Sequence, residues 1–190
     1  MKRMIALVGG LVLTNLLGVA ADPALSVDEQ IAQAVLPLPT DLRAGATVYT
    51  YDANGDRKIL RKGTNSVECQ PKNLEDGFTR CTSVLTADRR DFQAKLKAQK
   101  KSDKEIQEAM AAATKAGTIK PAPYGIMSYR YTTDEGRIKL LWVMSVPGAT
   151  PETVGVSTAS QRDAALKNHG LPWLMLPGTP GAHIMIPINQ

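Results

Sequence analysis

Residues 125–146, GIMSYRYTTDEGRIKLLWVMSV, decide the fold. Met127, Tyr129 and Tyr131 alternate with Ser128 and Arg130, the period-two pattern of a strand with one buried face. Ile138 to Met144 is more continuously apolar, which predicts a central strand. Asp134-Glu135-Gly136 supplies turn chemistry between them, so strands over 125–133 and 137–146 form an antiparallel hairpin.

Upstream, Ser26-Val27-Asp28-Glu29 is a capping box that opens a short helix running to about Val35, which Pro37 and Pro39 terminate. Ala46 to Tyr51 and Lys58 to Arg61 read as strands joined by a turn built on Asn54-Gly55, and Val67 to Gln70 as a further strand. From about 88 to 116 the chain turns rich in Ala, Lys, Gln and Glu, with Phe92, Leu96, Ile106 and Met110 at helical spacing. A second capping box, Ser102 to Glu105, divides this stretch into two helices broken near Lys101. Their apolar stripe is thin, so the helical hairpin is expected on the surface with its positive charges facing water.

Downstream come a loop from Pro147 to Thr153, a short helix from about Ser160 to Asn168, and two buried strands, Leu171 to Leu176 and His183 to Ile186, around the turn 177–181. The predicted class is α+β: an antiparallel sheet with a helical hairpin and short flanking helices, in one domain over residues 22–190.

Residues 1–21, MKRMIALVGGLVLTNLLGVAA, carry two positive charges, an apolar run and small residues at Val19 and Ala21, the pattern of a signal peptide cleaved after Ala21. The expected location is therefore the periplasm or the medium, with membrane attachment only through an uncleaved leader. Of the formal charge of +5, two positive charges belong to Lys2 and Arg3. The remainder is too dilute for nucleic acid, and an aromatic content of 5% gives few stacking platforms for single strands.

The two cysteines, Cys69 and Cys81, are expected to form a disulfide, because an oxidising compartment is its ordinary setting. Such a short loop contributes about 3 kcal/mol in the chain-entropy description. Their spacing is unlike the C-x-x-C of redox pairs. His183 and Met185 form an H-x-M pair whose side chains share one face of a strand, a donor set suited to Cu(I). Met127, Met144 and Met175 are further sulfurs, and a hydrogen-bonded core histidine is the structural alternative. His169 belongs to a separate element. Ser128, Ser145, Ser157 and Ser160 lack a Gly-x-Ser-x-Gly elbow, so no catalytic residue and no cofactor is nominated. Asp52 to Asp56 has its glycine at the fourth place rather than the sixth of a calcium loop, and reads as a hairpin turn.

Arg61-Lys62-Gly63-Thr64-Asn65 followed by Cys69 and Pro71 resembles the R-x-G-T-N-x-x-x-C-x-P segment of an uncharacterised family of exported bacterial proteins. The ending Gly178-Thr179-Pro180-Gly181-Ala182-His183-Ile184-Met185-Ile186-Pro187 is similar to that family's G-T-P-x-A-H-x-M-x-P. This chain has Glu68 where the family carries an aromatic residue before the first Cys. The resemblance implies export and a shared fold and brings no assigned activity. The leading expectation is a non-enzymatic exported domain that binds a small ligand or another envelope protein. The alternatives are a hydrolase-like enzyme using His183 and a periplasmic copper-binding protein using His183 and Met185.

Overall fold

The computed structural model describes residues 25–188, so the expected leader and its cleavage point lie outside the described residues. In chain order the strands are β1 (Thr47–Tyr51), β2 (Arg57–Arg61), β3 (Val67–Gln70), β4 (Thr79–Ser83), β5 (Met127–Tyr131), β6 (Leu140–Ser145), β7 (Trp173–Met175) and β8 (His183–Pro187). The helices are α1 (Val27–Ala34), α2 (Thr40–Arg43), α3 (Ala87–Ala98), α4 (Asp103–Lys115), α5 (Pro151–Val154) and α6 (Arg162–Ala165). All eight strands join one sheet in the order β2-β1-β3-β4-β5-β6-β8-β7, antiparallel except for the parallel pair β1 and β3. The class is α+β, and the expected hairpin of β5 and β6 lies at the sheet's centre, with Met127 opposite Met144 and Tyr131 opposite Leu140.

The two faces of the sheet differ. On one face α1 and α2 cover β1, β3 and β4 with an apolar core of Ala34, Val35, Leu38, Val48, Cys69 and Cys81. The same face continues to Leu174, Ile184, Ala182 and Val146 at the far end. The other face carries Tyr49 and Glu68 under α3, with Gln70, Arg80 and Arg130 following on the same face, then turns apolar at Leu141, Val143, Trp173 and Met185. Both capping boxes form: Ser26 accepts from the Glu29 amide and Ser102 from the Glu105 amide, while each glutamate reaches back to its serine.

Arg61-Lys62-Gly63-Thr64-Asn65 makes the parallel pairing possible. To reach β3 the chain leaving β2 crosses the entrance of β1, and the crossing is stitched at every step. Arg61 donates to the carbonyls of Arg43 (2.7 Å) and Ala46 (2.9 Å). The amides of Thr64 and Asn65 both donate to Gly45 O, and the Asn65 side chain donates to Leu42 O. A Cβ on Gly63 would lie 2.3 Å from Thr47 N, so only glycine fits there.

Five expectations change. The buried strand expected over Leu171 to Leu176 contracts to β7, with Leu171, Met175 and Leu176 exposed. The second cysteine lies in an unforeseen strand, β4, whose Thr-Arg-Cys-Thr-Ser sequence has no apolar alternation to announce it. The loop after Pro147 contains the single turn α5, started by Pro151. The helix expected over 160–168 contracts to α6, with Asn168 in the left-handed region just beyond it. The helical hairpin is not a free surface layer: Leu96, Ile106 and Ala113 are buried, and α3 docks on the sheet.

Candidate functional site

The charged residues that make α3 look solvent-facing are what fasten it. Glu68 is buried on β3 and accepts from Arg57 (2.9 Å) and from Arg90 of α3. Arg57 also reaches Asp91 of α3 at 2.6 Å, and Tyr51 donates its hydroxyl proton to the same carboxylate at 2.6 Å. Arg90 donates to the Tyr49 oxygen at 2.8 Å and to Ser83 O at 3.0 Å. The Arg57 guanidinium lies 3.9 Å from the Tyr49 ring centroid, a cation–π contact. Two cations and two carboxylates balance, which is how buried charge is tolerated. Burial pushes the Tyr49 phenol up, although Arg90 and Arg57 pull it back. Tyr51 is pushed well above the phenol range by burial, then by Tyr49 and by its bond to Asp91. Burial opposes the Arg57 charge, yet Asp91 and Glu68 hold it firmly cationic. These groups keep fixed charge states and hold a platform.

Gly55 lets the β1–β2 turn press against α3: its φ is +73° and a Cβ would lie 2.6 Å from Ala94 O. Asp52 Oδ1 accepts from the amides of Asn54 and Asp56, and Asp56 pairs with Lys95, so the segment is a hairpin turn.

Beside this platform a cleft of about 400 Å³ opens between α3 and the hairpin joining β3 to β4, lined by Tyr51, Gln70, Asn73, Arg80, Gln93 and Lys97. Cys69 and Cys81 are directly opposite each other and disulfide-bonded, pinning the two strands that form its floor. Asn73 shapes its rim by accepting from the Glu75 amide and bonding its own amide to Phe78 O. At the rim Arg80 makes a two-pronged pair with Asp76, Lys97 pairs with Glu75, and Lys72 pairs with Asp134. Burial opposes ionisation of Asp76, but Arg80 and the Phe78 amide outweigh it and hold the carboxyl below its ordinary range.

His183 and Met185 share the face of β8 that the H-x-M spacing predicts. Register sets Ser145 of β6 and Met175 of β7 on either side of His183. His183 Nδ1 is 2.8 Å from Gly181 O, which turns the ring onto its own turn. Met185 packs on the cluster of Leu141, Val143 and Trp173. The Gly178–Ala182 stretch is a brace: Thr179 Oγ1 donates to Leu176 O, and Thr179 O accepts from the amides of Gly148 and Ala182. His169 is exposed beyond α6. Ser157 and Ser160 accept from backbone amides two residues on, as turn residues do. Among the described residues no carboxylate bonds to either imidazole, and no cluster of three or more His, Cys, Asp or Glu is disposed to hold a metal. No helix among them is long and apolar enough to cross a membrane.

Comparison with protein-family models, with the curated proteins and with the solved structures finds no match. The sequence did not single out the cleft residues. The signal available was the Arg89-Arg90-Asp91 run on a helix with almost no apolar stripe, which leaves charge as its means of docking.

Proposed function

We propose that this is an exported, non-enzymatic binding domain that takes a small polar ligand in the cleft between α3 and the Cys69–Cys81 hairpin. The observation that carries the reading is the construction of the cleft. Convergent amide, guanidinium and ammonium groups stand on a floor that a disulfide and a neutralised ion network hold in advance. A site organised before binding loses less entropy when it fills. The leader-like residues 1–21 and the joined cysteines support a location outside the cytoplasm.

Two measurements test it. N-terminal sequencing of the natural product should begin at Asp22, and an intact Met1 would contradict export. In a screen of small metabolites by amide chemical shifts, binders should perturb residues 70–78 and 93–97. Binders that perturb only β7 and β8 would move the site to His183.

One observation favours a second reading. Met175 stands directly across from His183, so imidazole and two thioethers, Met175 and Met185, share one face at the sheet's end. A proton on Nδ1 given to Gly181 O leaves Nε2 as the metal-facing nitrogen, the usual orientation of a ligand histidine. This supports Cu(I) handling there. Titration with Cu(I) under reducing conditions that spare the disulfide should give one tight equivalent that His183→Ala removes. An unchanged stoichiometry in that variant would end the reading.

A further inference from the structure

Arg130 is a largely buried charge without a balancing partner among the described residues. Its Nε has essentially no solvent exposure and no hydrogen-bond partner. It takes part in none of the ion pairs among the described residues. The strand register sets it directly across from Arg80, so two guanidiniums occupy neighbouring positions on one face, where like charges repel. The carboxylate that acts on Arg130, Asp76, is already engaged by both prongs of Arg80. A third guanidinium, Arg137, donates to Asp76 O at 2.8 Å and lies 5.0 Å from the Phe78 ring centroid, with Arg80 at 5.5 Å from the same ring. Arg80 thus holds the Asp76 carboxylate at the cleft wall that the two line, Arg137 holds the backbone carbonyl of the same residue, and Arg130, next to Arg80 on the sheet, is left with neither. The neighbouring network under α3 balances its charges; this cluster does not. Among the described residues the other buried unpartnered side-chain atom, Trp142 Nε1, lies on the opposite face beside the Tyr129 ring.

We propose that the Arg80–Arg130 pair, with Arg137 at its margin, seats an oxyanion, and that the ligand of the cleft carries it as a carboxylate or phosphate group. The inference rests on the binding reading above and names its chemistry. A planar two-pronged guanidinium matches either group, and Arg130 has its prongs unused. Burial and Arg80 both press against the Arg130 charge, which a bound anion would offset.

The test is thermal unfolding and calorimetric titration of the full oxidised chain in chloride, inorganic phosphate and succinate at matched ionic strength. Wild type should gain Tm saturably in phosphate, succinate or both, and whichever anion acts identifies the group. Arg130→Met should melt higher than wild type in chloride, because an unpaired buried charge is gone, yet lose the anion response and at least tenfold in affinity. Arg130→Lys, which keeps the charge without the fork, should keep a weakened response and covers the case in which the methionine variant fails to fold. The proposal is overturned if neither anion raises the wild-type Tm, or if either variant responds as wild type does. Should neutral metabolites still perturb the cleft amides in that event, the binding reading survives and only the oxyanion falls; if nothing perturbs them, both fall.

Discussion

The two faces of β1, β3 and β4 solve one problem in opposite ways. Alternate residues of the same strands enter a dry layer with Val48, Cys69 and Cys81 on one side, and an ionic layer with Tyr49, Glu68 and Arg80 on the other. The apolar layer is forgiving: its contacts are undirected, and α1 can settle by small shifts. The ionic layer is conditional. Each charge is tolerable only while its partner is present, so α3 has one seat and one register.

Glu68→Ala gives the largest effect that separates them. It leaves the buried Arg90 with no carboxylate and Arg57 with Asp91 alone, and should cost about 3–5 kcal/mol, read from urea denaturation. A loss below about 1 kcal/mol would show that α3 is held by packing and would erase the contrast. Leu38→Ala, on the apolar side, should cost about 3 kcal/mol with the far-ultraviolet circular dichroism of the native state retained. Replacing Cys69 and Cys81 together by Ala should cost about 2–3 kcal/mol and broaden the amide signals lining the cleft, because the constraint lies on the strands below it.

The smallest effect is in acid. The Asp76 carboxyl titrates below its ordinary value of 3.8 in the folded chain. Its stabilisation is therefore complete above that value and is lost as pH falls through the lower native one. Asp76 is partly exposed, so the contribution is screened and modest. A plot of Tm against pH should steepen below about pH 4, and Asp76→Asn should flatten that limb by lowering the neutral plateau modestly while leaving the acid end unchanged.

The strands of the central hairpin, both capping boxes, the Asn-Gly turn and the cysteine pairing were legible because each is a local pattern with a local cause. Arg130 was legible only as the polar side of an alternating strand. Alternation separates two faces but does not say which one receives a cover. Over Tyr49 and Glu68 on the same face the cover arrives from α3, far off in sequence, through ions instead of an apolar stripe. Arg61 to Asn65 stood out as a motif, but its task depends on β3 passing β2 to lie beside β1, which no local pattern encodes. His183 and Met185 were correctly placed on one face, while their neighbour Met175 needed the register of β7 to appear.

The rims of the sheet have a consequence for behaviour at high concentration. One rim, β2, displays Lys58 between the engaged Arg57 and Arg61, and at the other, three residues long, the Leu174 amide is occupied by Ser157 O. A stranger's backbone meets repulsion on the first and a taken donor on the second. Fibril growth by strand addition must therefore begin with the segment around Ser157 peeling away, so amide exchange at Leu174 should forecast the onset of aggregation better than the global melting point does.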